Sequence, residues 1–336
     1  MSFPIPKKDL DILINSDDEK YHRILNTALK TYTTHFLLEV DGKKIISIKP
    51  KKNTYAHNKL IETFSITKSI IGLAFMFLLQ DGLLSSISNK VSLYILEWKY
   101  DKRRNITIKE LLTQTSKLQN NWNFSKFSDI DRHGKKLDKY KINVKELSKQ
   151  IQFCEYSKTD KWDYNNDTSQ TLVTLIEIIS QKSPEQYLKD KLFAPLKIRY
   201  IWRKDIYGNC FGPFGINTNI NGLYKIGKLI LNNGIWNGKI ILKSDLIKKM
   251  LTKQVDSKEM KYYGKYDTDY TLLWYNIKNE LFFAYGHLGN KLFINQNKKI
   301  ICVRLVSQFW DNDLFKNEVK NKKLNYGTLT KLIYNL

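Results

Sequence analysis

Apolar positions recur along the chain with two different periods. Residues 18–30 carry them at helical spacing, whereas residues 35–40, a nearly continuous run from His35 through Phe36, Leu37, Leu38 and Val40, read as a strand. Asp41-Gly42 follows, then a second run to residue 48, and this is the pattern of a hairpin closed by a type I′ turn. Residues 63–79 are apolar nearly all round and stop at Asp81-Gly82. That predicts a helix buried on every side, with glycine as its C-terminal stop.

The middle of the chain, residues 92–200, predicts helices at 107–113, 143–151, 168–180 and 184–192 and no convincing strand. Ser183-Pro184 opens the last of these, with a cap residue followed by proline at the first helical position. One more helix, 222–231, runs into Asn232-Asn233-Gly234. Short β-branched or aromatic runs at 270–275, 281–285, 291–295 and 300–306 then restore strands, and residues 324–336 close the chain as a helix. Strands at both ends with helices between them predict an α+β protein: an antiparallel sheet flanked by helices, with an all-helical insertion. We expect residues 1–95 and 205–336 to form the discontinuous sheet domain, residues 96–204 the helical subdomain, and the active site to lie between them.

Composition adjusts this picture. Of 336 residues, 42% are hydrophobic and 13% aromatic, enough for a large core and too apolar for a disordered chain. Lys and Arg total 56 against 33 Asp and Glu, a net charge of +23 that raises the question of nucleic acid. The densest basic clusters, Lys102-Arg103-Arg104 and Lys322-Lys323, are shorter than a binding patch requires, so no specific nucleic-acid partner is expected. Cys154, Cys210 and Cys302 are far apart, odd in number and without metal-ligand spacing; they read as buried free thiols, and no metal or cofactor is expected. The first twenty residues carry Asp9, Asp11, Asp17, Asp18 and Glu19 and no apolar signal region, and the longest apolar run, 70–79, is about half a membrane span. The expectation is a soluble cytoplasmic protein with reduced cysteines; its oligomeric state is open.

The candidate chemistry starts at Ser65-Ile66-Thr67-Lys68, the one Ser-x-x-Lys in the chain, at the start of the buried helix. Residues three apart share a helix face, so the Lys68 amine reaches back to the Ser65 hydroxyl. The helix N-terminus supplies unpaired N–H groups and a positive dipole end beside any oxyanion formed there. Among Ile70, Ile71, Leu73 and Phe75 the amine would be desolvated and neutral near pH 7. The plainer alternative makes Ser65 a helix cap and Lys68 a surface lysine.

Two Tyr-x-Asn sequences exist, at Tyr164-Asn165-Asn166 and Tyr207-Gly208-Asn209, and only the first precedes a strongly periodic helix. A Tyr164 phenol beside a Lys68 cation would have its anion favoured and would take the Ser65 proton; Asn166 would donate to a substrate carbonyl or cap the helix. Gly286-His287-Leu288-Gly289-Asn290 holds the one glycine-flanked histidine, whereas His22, His35, His57 and His133 look like surface or core residues. The backbone N–H of Asn290 with that of Ser65 would form a two-donor oxyanion hole.

In the order Ser-x-x-Lys, Tyr-x-Asn, His-x-Gly the chain resembles the serine β-lactamase and penicillin-binding-protein superfamily, specifically its class C β-lactamase-related branch, which also holds D-amino-acid peptidases, carboxylesterases and amide-oligomer hydrolases. Residues 106–116, Ile-Thr-Ile-Lys-Glu-Leu-Leu-Thr-Gln-Thr-Ser, are similar to that family's "LLTHTSGL" helix, and residues 222–238 to its "GL…LLLNGGxWNG" segment. The resemblance implies a β-lactamase/transpeptidase-like fold and Ser65 as the nucleophile of an acyl-enzyme. Lys68 and Tyr164 would share proton transfer, Asn166 would contact the substrate amide, and His287 with Gly289 would line the third wall. Where relatives acting on β-lactams or D-alanyl peptides commonly have Lys-Thr-Gly to hold a carboxylate, this chain has His287 and Leu288, which offer an anion much less. The expected substrate is therefore a small ester or amide without an anionic anchor. A β-lactamase or D-amino-acid peptidase, and a catalytically silent binding protein of the same fold, are the alternatives. The family's "TSGL" glycine is Lys117 here, a departure in a loop that favours glycine.

Overall fold

The alternating runs at the two ends of the chain meet in one sheet. A computed structural model describes residues 5, 7–54, 56–120, 143–154, 162–256, 268–307 and 326–336. Its strands are β1 (Leu10–Ile14), β2 (His35–Val40), β3 (Lys43–Pro50), β4 (Ile61–Glu62), β5 (Tyr200–Trp202), β6 (Ile216–Thr218), β7 (Ile235–Trp236), β8 (Lys239–Ile240), β9 (Val255–Asp256), β10 (Thr268–Tyr270), β11 (Tyr275–Ile277), β12 (Leu281–Gly286), β13 (Asn290–Asn295) and β14 (Ile300–Leu305). Nine of them form one antiparallel sheet in the order β1-β3-β2-β14-β13-β12-β11-β10-β9, so β14, near the C-terminus, pairs with β2 of the N-terminal hairpin. The hairpin turn places Asp41 at φ 47° and Gly42 at φ 77°, the paired positive angles of a type I′ turn.

The helices are α1 (Glu19–Lys30), α2 (Ile66–Gln80), α3 (Ile108–Thr113), α4 (Val144–Gln150), α5 (Asn166–Ser180), α6 (Pro184–Leu188), α7 (Ile220–Leu231), α8 (Ser244–Leu251) and α9 (Tyr326–Tyr334). Alternation along β13 assigns them to faces. Lys291 reaches Thr330 on α9, whereas a Cβ on Gly227 of α7 would meet the next residue, Leu292. The sheet is thus covered on both faces, and every residue of β13 and β14 is buried.

Helix α2 is enclosed as its composition predicts: every residue from Ile66 to Leu78 is buried. It lies so close to residue 272 that a Cβ on Gly72 would come within 2.7 Å of the Leu272 carbonyl. Ser69 donates to the Leu273 carbonyl at 2.7 Å, and the Trp274 indole donates to Ser69 O at 3.2 Å. These contacts fix the helix, and its first residue, relative to the sheet.

Several expectations shift. The buried helix begins at Ile66 rather than residue 63, which leaves Ser65 at its tip. The run at 270–275 is two strands, β10 and β11, around Leu273 at φ 65°. The acidic N-terminal stretch contains an edge strand, β1, whose burial alternates. Strand β5 lies within the stretch expected to be helical and pairs with β6 in a small sheet with β4. Lys117 takes φ 56°, so the loop keeps the left-handed backbone of a glycine with a lysine in place. His133 and Lys322-Lys323 lie outside the described residues. Among the described residues no helix is long and apolar enough to cross a membrane.

Candidate active site

The backbone enters α2 through Phe64, held at φ 52°, a left-handed conformation that costs a side-chain-bearing residue about 1–3 kcal/mol. Ser65 follows at φ −67°, ψ −5°, in the N-cap position, and its side chain makes no capping hydrogen bond. The hydroxyl is therefore not consumed by the helix. Ser65 is half-buried and open to solvent, its backbone N–H donates to no described residue, and the free end of a 15-residue helix lies behind it.

Lys68 Nζ lies 3.0 Å from Ser65 Oγ and donates to the Pro213 carbonyl at 2.7 Å. The residue is 2% exposed. Burial holds its amine well below the ordinary lysine value, so the neutral, proton-accepting form is accessible. The carbonyl that holds it is fixed from two sides. Gln170 on α5 donates to Cys210 O at 3.0 Å and accepts from Gly212 N–H at 2.8 Å, and a Cβ on Gly212 would strike the Ser169 carbonyl at 2.3 Å. On the other side, Gly215 N–H donates to Glu62 at 2.9 Å.

Tyr164 lies beside Ser65, close enough for the serine hydroxyl to affect its titration, and the Lys68 amine sits 4.8 Å from the centre of its ring. Burial pushes the phenol above its ordinary range, and the neighbouring Ser65 offsets this only in part. The expectation of a stabilised phenolate is thus corrected: burial also favours the neutral form of Lys68, so the cation that was to favour the anion is suppressed. Of the two groups, the amine is the stronger candidate base.

Asn165, not Asn166, caps α5, accepting from Thr168 N–H at 3.1 Å. Asn166 is the first helical residue, and its Oδ1 is buried with no hydrogen-bond partner. Asn120 joins this group: it donates to Tyr164 O at 3.1 Å and accepts from Asn166 N–H at 3.3 Å. The ring of Trp162 lies 6.1 Å from that of Tyr164 and 5.4 Å from that of Tyr270.

The third segment arrives where β12 ends. A Cβ on Gly286 would stand 2.2 Å from the Thr63 carbonyl, so only glycine allows β12 this close to the Ser65 turn. His287 is exposed and meets Phe64 edge-on, ring centres 5.2 Å apart. Leu288 at φ 64° and Gly289 at φ 73° turn the chain, with Leu288 buried. Arg304, itself 1% exposed, holds the turn by donating to Leu288 O at 2.8 Å and Gly289 O at 2.7 Å.

Asn290 departs from expectation. Its backbone N–H, expected to face an oxyanion, donates to His287 O and closes the turn. Its side chain donates to Glu62 O at 3.0 Å and accepts from Val306 N–H at 2.8 Å, a structural bridge. The three segments therefore converge as sequence predicts, while Glu62, Asn120, Gln170 and Arg304 had no local signal. Among the described residues no group of three or more His, Cys, Asp and Glu is placed to hold a metal. None of the site residues lines the open hollow of about 720 Å³ between Asn233, Lys248 and Phe282.

Residues 38–202 match the sequence model of the Beta-lactamase family, and the fold is that of the β-lactamases and transpeptidases, as the motif order implied. No curated protein sequence matches. Among solved structures the chain is similar to the octameric penicillin-binding protein homologue from Pyrococcus abyssi, with 19% identity, TM-score 0.67, and 86% of this chain and 73% of that one covered. It is also similar to a family VIII carboxylesterase at 14% identity and TM-score 0.66, covering 90% and 95% of the two chains. A D-stereospecific amidohydrolase from Streptomyces sp. matches at 12% identity and TM-score 0.62, covering 90% and 98%.

Proposed function

We propose that this protein of β-lactamase fold, whose residues 38–202 match the Beta-lactamase family model, is a serine hydrolase that cleaves a small ester or amide without an anionic anchor through an acyl-Ser65 intermediate. One observation carries the reading: a lysine 2% exposed, with its amine lowered in pKa by burial, lies 3.0 Å from a solvent-accessible serine that does not cap its helix. Lys68 takes the Ser65 proton as Oγ attacks the carbonyl carbon. The oxyanion forms beside the N-terminus of α2, where the Ser65 N–H is the available donor. When the tetrahedral intermediate collapses, the leaving alcohol or amine receives the proton through Tyr164. Water then attacks the acyl carbon, its proton passing to the same pair, and releases the acid and free Ser65.

The substrate class follows from the third segment. His287 is the exposed side chain there, and Leu288 is turned into the core, so this turn offers no permanent side-chain cation to a substrate carboxylate. Titratable labelling by a fluorophosphonate, lost in Ser65→Ala, tests the reading, together with turnover of aryl esters, D-amino-acid amides and a chromogenic cephalosporin. We expect ester turnover to exceed cephalosporin turnover. Comparable rates on the cephalosporin would favour the β-lactamase alternative, and no labelling of folded protein would favour a silent binding protein.

A further inference from the structure

Glu62 stands three residues before Ser65, at the end of β4, and is 8% exposed. Its Oε1 accepts from Phe64 N–H at 3.2 Å and from Gly215 N–H at 2.9 Å, and its Oε2 accepts from Arg203 at 2.8 Å. The two backbone donors belong to different arms of the site. Phe64 is the left-handed residue that turns the chain into Ser65 and also packs on His287. Gly215, at φ 114°, ends the segment whose Pro213 carbonyl holds the Lys68 amine. A single carboxylate oxygen therefore bridges the turn that presents the alcohol and the turn that fixes the base.

We propose that Glu62, braced by Arg203, is a positioning residue for Ser65 and Lys68, holding the Phe64 and Gly215 turns in the register that keeps alcohol and amine in contact. A charge-assisted bond to Phe64 N–H opposes relaxation of that residue from φ 52° to an unstrained angle, a motion that would swing Ser65 away from Lys68. The same oxygen draws Gly215 toward the same turn, so Pro213 cannot drift without Phe64. Arg203 supplies the opposing charge that makes burying the carboxylate tolerable, and its own N–H donates to Gly215 O at 2.9 Å. Glu62 touches no reacting atom; it acts through the two turns.

This inference rests on Ser65 being the nucleophile, and the test separates the two. The maximal rate of Ser65 modification by a fluorophosphonate and the reagent's affinity are measured separately in wild type, Glu62→Gln and Arg203→Met, each with its melting temperature. In the Glu62→Gln variant the new amide nitrogen is a donor facing either the Arg203 donors or the two backbone N–H groups, so the bridge loses one side. We expect the maximal rate to fall about tenfold or more in folded Glu62→Gln with affinity unchanged, since displacements near 1 Å carry penalties of this order. Arg203→Met, which keeps the carboxylate but loosens it, should fall less, and Glu62→Asp should recover part of the loss. A folded Glu62→Gln with the wild-type maximal rate overturns the proposal; if that variant does not fold, a folded Arg203→Met with the wild-type rate overturns it equally. Failure of wild type to label overturns the nucleophile assignment instead.

Discussion

Two lysines in this protein are buried to nearly the same degree, Lys68 at 2% exposure and Lys291 at 1%, and they have opposite surroundings. Lys68 lies at the tip of α2 with an alcohol 3.0 Å away that solvent can reach. Lys291 lies in β13 on the far face of the sheet, against the rings of Phe283, Tyr285 and Phe293, and donates to Thr330. Burial lowers both amines, Lys291 to about 7. A depressed lysine is therefore not by itself a reactive centre. What distinguishes Lys68 is a hydroxyl 3.0 Å away on a residue that is only half-buried.

Removing each amine tests that contrast most severely. Lys68→Met, or Lys68→Arg with its permanent charge, should slow fluorophosphonate labelling of Ser65 by about 10³-fold, the scale of a lost general base, while Lys291→Met keeps wild-type labelling. Equal losses in both would mean that each lysine supports only the fold. Tyr164→Phe comes next: a relay rather than the base, it should cost about ten- to a hundredfold in ester turnover, with its melting temperature near that of wild type. A loss as large as that of Lys68→Met would return the base role to the phenol.

Stability should move the other way. Lys291 has a folded pKa of about 7 against an ordinary value of 10.5. Between those pH values the unfolded chain holds a proton that the folded chain does not, so stability falls as pH drops through this window and levels off below it. Methionine carries no such penalty. Lys291→Met should melt about 2–4 °C above wild type at pH 7, with the advantage fading as pH rises toward 10.5. The smallest effect is expected at His287, exposed on the rim: His287→Ala should change affinity for an aryl ester a few-fold and leave the maximal labelling rate of Ser65 intact.

The β2–β3 hairpin was legible because Asp41-Gly42 requires two positive φ angles that few dipeptides adopt, and α2 because an all-round apolar run has no other use in a protein of this size. Ser65 and Lys68 were legible because helical spacing brings them together locally. Arg304, Gln170 and Glu62 were not: each acts on backbone groups 15, 40 and 153 residues away, and a carbonyl leaves no mark in the sequence. The protonation of Tyr164 is hidden in the sequence for a related reason. Its charge state depends on how deeply it and Lys68 are buried together, which motif spacing does not encode. Asn290 shows the converse, a donor correctly placed in the chain whose N–H the turn itself uses.

In the proposed reaction a neutral Lys68 draws the proton from Ser65. The most direct measurement is the rate of fluorophosphonate attachment at Ser65 as a function of pH, with the modified residue identified by peptide mass spectrometry. Attachment is expected at Ser65 alone, at a rate that rises with pH to a plateau with a midpoint well below 10.5, absent in Lys68→Met. A midpoint at the ordinary lysine value, or an unchanged profile in Lys68→Met, would contradict a neutral Lys68 as the base.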